Sequence, residues 1–97
     1  MHFALFVPDQ PPKPRSYLNQ SVVLLNRNVT LGCMSTMNIS ATFTFFEGNE
    51  TIYSGQNNNT NITRVTQSSW YSCMVTVHDT DSLISDPVYL TVYSKSN

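Results

Sequence analysis

The stretch WYSCMVTVH, residues Trp70–His78, decides the fold of this chain. Every second residue in it is apolar, which is typical of a β-strand that buries one face. The residues of that face are Tyr71, Cys73, Val75 and Val77. The run NVTLGCM, Asn28–Met34, alternates in the same way and places Cys33 on its apolar side. The two runs therefore predict two strands that contribute to one core.

Cys33 and Cys73 are the only cysteines of the chain. Because both lie on the apolar sides of different predicted strands, we expect a disulfide across a two-sheet core in an oxidising compartment. The alternative is a pair of free buried thiols in a reducing compartment. We expect no metal site, because the two cysteines together with His2 and His78 match no ligand spacing.

The other short runs are rich in Val, Thr, Phe and Tyr and are separated by Asn, Gly and Ser. They are Ser21–Leu25, Thr42–Phe46, Thr51–Ser54, Asn61–Val65 and Asp86–Tyr93. No window has the apolar period of an amphipathic helix, so we expect almost no helix. The pattern predicts an all-β sandwich or barrel, and the paired cysteines favour the two-sheet sandwich. We place this domain at residues 11–94, between a lead-in of residues 1–10 and a tail of residues 95–97.

The chain has 97 residues, a net charge of −1 and only 11% charged residues. Its basic residues form no stripe, which argues against nucleic acid as a partner. No segment approaches the roughly 20 apolar residues of a membrane span, so any membrane attachment would come from segments outside this sequence. No arrangement of nucleophile and base has support, so we expect no enzymatic activity, and we expect no cofactor.

Six Asn-x-Ser/Thr sequons are the clearest sign of the compartment. Their asparagines are Asn19, Asn28, Asn38, Asn49, Asn58 and Asn61. Many sequons on a chain of low charge are typical of a glycosylated surface, so we expect an extracellular or cell-surface location. The alternative is a merely polar surface, rich in loops, in which some sequons occur by chance.

Four segments of the chain resemble the strands of an immunoglobulin-like domain. They are NVTLGC for strand B, FTFFEGN for strand C, YSC for strand F and DPVYLTVY for strand G. The proline-rich PPKPRSYLNQ before them is similar to the openings of Fc-receptor-like, killer-cell and leukocyte Ig-like receptor domains. The resemblance runs from Pro11 to Tyr93 and implies a sandwich of the C2- or I-like set.

The resemblance has consequences for individual residues. The usual tryptophan of strand C is absent, so Phe43 or Phe45 is expected to fill the space beside the disulfide. Tyr71 precedes the second cysteine by two residues, where the family's tyrosine places its hydroxyl on upstream backbone. The short connection after strand C leaves little room for further strands beside it. Residues His78–Asp86 contain three aspartates and are expected to be a solvated hairpin tip; the alternative, a calcium site, lacks the ligand spacing of a cation loop.

Alternation also predicts a binding face. Strands C, F and G share a sheet in the immunoglobulin-like fold, and residues of the parity opposite to Cys73 point outward. The candidate ligand-binding residues are Phe46, Trp70, Met74, His78 and Tyr89. Exposed aromatic and methionine residues with little charge are typical of protein interfaces. Strands F and G carry no sequon, so this sheet is expected to be free of sugar. The alternative for Trp70 is that it caps one end of the core.

These features favour an extracellular recognition domain of a cell-surface receptor of the immune system that binds a protein ligand. One alternative is an adhesion or spacer domain that packs on another immunoglobulin-like domain or forms a homodimer. Another is a pathogen decoy that binds host immune proteins.

Overall fold

The structure is a computed structural model that describes residues 10–37 and 39–95. The described residues form nine strands and no helix. They are β1 (Arg15–Leu18), β2 (Val22–Leu24), β3 (Val29–Met34), β4 (Ala41–Glu47), β5 (Glu50–Gly55), β6 (Asn59–Ile62), β7 (Ser69–Val77), β8 (Thr80–Asp81) and β9 (Val88–Tyr93). Most of the predicted lead-in, the sequon asparagine Asn38 and the last two residues of the predicted tail lie outside the described residues.

The strands form two sheets. The smaller sheet has the order β1-β3-β6, and the larger has the order β2-β9-β7-β4-β5, with β8 paired to β7. β2 runs parallel to β9, whereas the other strand pairs are antiparallel. Residues 19–21, between β1 and β2, carry the chain from the smaller sheet to the larger. The predicted all-β sandwich is confirmed.

The core lies between the sheets and is centred on the disulfide. Cys33 and Cys73 are bonded across it, with their Cα atoms 6.0 Å apart, and both are buried. The apolar parity of β7 is entirely internal, as the alternation predicted. Phe45 pairs with Cys73 between β4 and β7 and is fully buried, so it takes the place of the missing tryptophan beside the disulfide. Phe43, one step along, is also buried and pairs with Val75.

The connection after β4 differs from the expectation. A two-residue turn, Gly48–Asn49, joins β4 directly to β5, which adds a fifth strand to the larger sheet. Gly48 has a φ of 57°, which a glycine at the first position of a tight hairpin turn adopts without strain. The expectation of little room beside this strand was wrong, because such a turn needs only two residues.

The segment after β7 is also more ordered than the expected hairpin tip. Only His78 and Asp79 form the tip, and β8 then pairs back onto β7. Beyond β8, Ser82 and Ser85 bond to the β7 backbone through both main chain and side chain. The Ser85 amide donates to the Cys73 carbonyl at 2.8 Å, and the Ser85 hydroxyl accepts from the Cys73 amide at 2.9 Å. Both serines are buried. Their main-chain and side-chain hydrogen bonds to β7 therefore extend the edge of the sheet beyond β8.

Replacing either serine by alanine should therefore destabilise the domain. The Ser82 hydroxyl accepts from the Val75 amide at 3.0 Å, so Ser82→Ala leaves a buried amide without its partner, as Ser85→Ala does for Cys73. We expect each change to lower the free energy of unfolding by about 1–3 kcal/mol, measured by urea denaturation. Ser94→Ala, at an exposed position, is the control and should change little. Equal stability of all three variants would contradict the assignment.

The proline-rich segment before β1 packs along this same part of the molecule. Pro11 and Pro14 are buried, and the Ser16 hydroxyl donates to the Asp86 carbonyl at 2.8 Å. The Lys13 ammonium lies 2.7 Å from the Asp86 carboxylate. This exposed ion pair contributes little stability, so the segment is held by its buried prolines, by the Ser16 bond at the start of β1 and by the Gln10 side-chain amide, which donates to the Asp81 carbonyl at 3.1 Å.

Candidate protein-binding face

Four of the five candidate binding residues lie on the outer surface of β4, β7 and β9. Phe46, Trp70, Met74 and Tyr89 form what we call the aromatic face. Phe46 lies opposite Ser72 on β7, so Trp70 and Met74 are its two diagonal neighbours. Phe46 and Met74 are half-buried on this surface, whereas Trp70 and Tyr89 are exposed. The aromatic face carries no charged side chain of its own.

Trp70 and Tyr89 form its most exposed part. They are paired across β7 and β9, and their rings are 4.8 Å apart with an interplanar angle of 56°. Tilted contacts of this kind stabilise aromatic pairs. Trp70 is 54% exposed and Tyr89 is 43% exposed. This exposure excludes the alternative in which Trp70 caps one end of the core.

The turn between β4 and β5 lies beside Trp70. The Gly48 amide donates to the Trp70 carbonyl at 2.8 Å, which places this glycine beside Trp70 in the sheet. Gly48 faces open space, since a Cβ at this position would meet no atom within 4 Å. The sequence motif EGNE therefore forms the hairpin and borders the aromatic face.

Two grooves meet at Trp70. One, of about 370 Å³, is lined by Phe46, Gly48, Asn49, Trp70, Ser72, Ile84, Ser85 and Pro87. We call it the Phe46 groove. The other, of about 460 Å³, is lined by Glu47, Gly48, Glu50, Gln67, Ser68, Ser69, Trp70 and Tyr89. We call it the Tyr89 groove. Trp70 lines both and separates an apolar groove from a polar one that contains two carboxylates.

Ile84 and Pro87 belong to the face but were missed by sequence reasoning. They come from the segment between β8 and β9, where the alternation that located the other residues is interrupted. Ile84 is 52% exposed and its neighbour Leu83 is 61% exposed. The one available signal was the pair of large apolar residues between two serines in SLIS, because a solvated tip would not need them.

The fifth candidate, His78, does not lie on the aromatic face. β7 ends at Val77, and His78 is in the turn that follows, exposed and with a φ of 50°. The expectation that it continues the outward row of this strand was wrong, because the chain reverses one residue earlier. Its role in binding remains a prediction with weaker geometric support than that of the other four.

Three sequon asparagines lie together on the outer face of the smaller sheet. Asn61 lies opposite Thr30 between β6 and β3, and the amide of Asn19 donates to the Thr30 carbonyl at 3.1 Å. Asn28 directly precedes β3 and has the outward parity of Thr30. In all three asparagines the side-chain Oδ1 accepts a hydrogen bond, at 2.8–3.0 Å, which leaves the amide nitrogen for attachment of a sugar. Glycosylation itself stays a prediction.

The larger sheet is not wholly free of sequons. Asn49 is exposed in the turn after β4 and lines the Phe46 groove together with Trp70. The expectation of a sugar-free sheet therefore needs correction at this corner. The alternation of side chains along β7 and β9 could not reveal this position of Asn49, because the turn after β4 brings it beside Trp70 from another part of the chain. Asn58, just before β6, lies elsewhere, with its backbone carbonyl bonded to Cys33 on β3.

Beneath the Tyr89 groove, the Tyr71 hydroxyl forms its hydrogen bond with the Glu47 side chain and not with the upstream backbone. The Tyr71 hydroxyl donates to Oε2 of Glu47 at 3.3 Å, and the Ser69 hydroxyl donates to the same oxygen at 2.7 Å. The expected bond to upstream backbone was wrong, because Glu47 is the cross-strand partner of Tyr71 and reaches the hydroxyl first. Burial raises the pKa of Tyr71 to about 12, and the negative charge of Glu47 and their hydrogen bond add to the rise.

This raised pKa predicts a loss of stability at high pH. The unfolded chain releases the Tyr71 proton near pH 10.0, whereas the folded protein holds it to about pH 12. The stabilisation is therefore complete below pH 10.0 and is lost as the pH rises through about 12. We expect a fall on the order of 1–2 kcal/mol in the free energy of unfolding, measured by urea denaturation. Tyr71→Phe should remove this fall. Identical pH profiles would contradict the assignment.

Comparisons with known proteins agree with this architecture. Murine CEACAM1b superimposes with a TM-score of 0.73 at 17% identity, over 87% of this chain and 46% of that chain. A chain from the complex of the mouse coronavirus receptor-binding domain with its murine receptor gives a TM-score of 0.72, with the same identity and coverage. The fold is immunoglobulin-like. The likeness supports that part of the sequence resemblance and not its assignment to the leukocyte receptor group.

The comparisons go no further than the fold. This chain spans about half the length of the solved chains it resembles, 46% in both cases. No family model matches the sequence. No curated protein matches it either.

Two further findings concern only the part of the chain that the structure describes. No group of three or more His, Cys, Asp or Glu side chains there is arranged to hold a metal ion. No helix within residues 10–37 and 39–95 is long and apolar enough to cross a membrane.

Proposed function

We propose that this chain is an extracellular recognition domain of a cell-surface receptor and that its aromatic face binds a protein ligand. The observation that carries the proposal is the exposed Trp70–Tyr89 pair between two grooves. Tryptophan and tyrosine supply a large share of the binding energy in protein interfaces, and here they lie at the surface of a rigid sheet. The immune character of the receptor rests on the sequence resemblance alone.

Two further features support this function. The disulfide is typical of proteins in oxidising compartments, which include the extracellular space. Three sequons lie on the opposite sheet, so sugars at Asn19, Asn28 and Asn61 would leave most of the aromatic face accessible. The four residues of the aromatic face offer apolar surface, which is typical of a protein interface, and none of them has a charged side chain that could bind a metal ion.

The experiment begins with finding the ligand. A tetramer of the domain, secreted from mammalian cells, would be used to stain leukocytes and other cell types, and the bound surface protein would be identified by proximity labelling. Affinity for that purified protein would then be measured for Trp70→Ala and Tyr89→Ala. We expect each change to weaken binding by about 2 kcal/mol or more, about 30-fold, as central interface aromatics do.

Ile39→Ala is the matched control. Ile39 is 86% exposed in the connection between β3 and β4 and lines neither groove, so its change removes an exposed apolar side chain away from the aromatic face. Its affinity should equal that of the unchanged protein, and all variants should keep their unfolding temperatures. Equal binding by the Trp70 and Tyr89 variants would refute the proposal. Concentration-dependent dimers in light scattering, abolished by Trp70→Ala, would favour self-association in place of a separate ligand.

A further inference from the structure

The Phe46 groove contains its own attachment point for a sugar. Asn49 is both a member of the groove lining and the asparagine of a sequon, Asn49-Glu50-Thr51. It lies in the two-residue turn whose other member, Gly48, is hydrogen-bonded to Trp70. Of the sequon asparagines that the structure describes, Asn49 is the one that shares a groove with the tryptophan. A sugar attached here therefore starts within reach of the indole ring.

The groove has the chemistry that one face of a pyranose ring requires. Phe46, Trp70, Ile84 and Pro87 give it apolar walls, and Gly48 also lines it. Sugar rings present their C–H groups to the faces of aromatic rings, and the indole supplies a broad apolar face. None of the described residues that line the groove is charged. Its volume of about 370 Å³ lies at the lower end of the range for small-molecule sites, about 300–1,000 Å³.

We propose that the Phe46 groove holds the first N-acetylglucosamine of an N-linked glycan on Asn49, packed against Trp70. The inference rests on the extracellular location proposed above. Attachment forms a bond between Asn49 Nδ2 and the anomeric carbon of a polyprenyl-diphosphate-linked oligosaccharide. The bond from that carbon to the diphosphate breaks, the lipid diphosphate leaves, and the amide nitrogen loses one proton. No oxidant or reductant is needed.

In this arrangement the two sides of the Trp70 indole ring have different surroundings. The sugar covers the side towards Phe46 and Pro87, whereas Tyr89 and the Tyr89 groove stay uncovered. A protein ligand would then contact Trp70 from the side of Tyr89 and meet the sugar at the border of its footprint. Occupancy of one sequon thereby sets how much of the aromatic face a partner can reach.

The chain has one tryptophan, so its fluorescence reports on the surroundings of Trp70 alone. The full chain, secreted from mammalian cells, would be compared with Asn49→Gln and Thr51→Ala, which remove the same sequon in two ways. Peptide mass spectrometry would establish occupancy of Asn49. We expect acrylamide quenching of Trp70 to be about twofold weaker in the glycosylated protein than in either variant, because the bare indole is 54% exposed.

Two further samples make the test specific. Protein trimmed by an endoglycosidase to a single N-acetylglucosamine should keep the full protection, because the first sugar makes the contact. Asn28→Gln removes a sequon from the other sheet and should quench like the unchanged protein.

Several results would overturn the proposal. The first is that mass spectrometry finds no sugar on Asn49, and the second is that acrylamide quenches Trp70 equally with and without the sequon. The third is that trimming to one N-acetylglucosamine removes the protection, and the fourth is that Trp70 of the Asn49→Gln protein is shielded by a dimer. These measurements use no protein ligand. Failure here would leave the ligand-binding test above unaffected, and failure to find a ligand would leave this result standing.

Discussion

Replacing Cys33 and Cys73 together by alanine is expected to lower the free energy of unfolding by about 4 kcal/mol. The disulfide closes a loop of 40 residues, and the chain-entropy account gives about this value for a loop of that length. A domain of 97 residues has a small core, so its total stability should lie towards the lower part of the usual 5–15 kcal/mol. The double variant should therefore be close to unfolding at body temperature, as measured by chemical denaturation and circular dichroism.

The unchanged protein under reducing conditions is the matched comparison. It keeps both sulfur atoms in the core, so any difference from the double-alanine variant reports the loss of packing around Cys33 and Cys73, both of which are buried. We expect reduction alone to account for most of the loss. If reduction lowers stability by less than about 1 kcal/mol, the bond does not have the structural role assigned to it.

The second large effect is expected at Phe45. This side chain is the largest of the fully buried ones, lies opposite Cys73 and packs on Tyr53, with ring centroids 5.9 Å apart. Phe45→Ala removes these contacts and leaves a cavity beside the disulfide, so we expect a loss of about 3–5 kcal/mol. Urea denaturation of the variant against the unchanged protein would measure it. Phe45→Leu should cost less, because it refills part of the volume.

Phe46 is a matched control for Phe45, because it is also a phenylalanine of β4 but its side chain points to the opposite face of the sheet. It is the next residue of β4 and points to the aromatic face, where it is half-buried. Phe46→Ala should therefore cost about 1 kcal/mol or less in stability, since it vacates a surface groove and not the core. A loss as large as that of Phe45→Ala would mean that the two faces of β4 have been assigned the wrong way round.

The candidate site could be predicted in part because parity along a strand is a local property. Successive side chains in a strand point to opposite faces, so placing Cys73 inside places Trp70 and Met74 outside. The same argument on β4 and β9 gave Phe46 and Tyr89. It failed for His78, because the position at which a strand ends depends on the turn that follows and not on alternation. It could not reach Ile84 or Asn49, which lie in connections.

By itself, the sequence determined the all-β class, the two cysteine-bearing strands, the buried apolar residues of β7 and the outward direction of the aromatic face. Each of these follows from a period of two and from the chemistry of the side chains. The tertiary structure decided which connections lie beside Trp70, that Ser82 and Ser85 complete the sheet, and that Glu47 meets Tyr71. Those contacts join residues distant in sequence, so they depend on strand order, register and turn geometry, which no local pattern encodes.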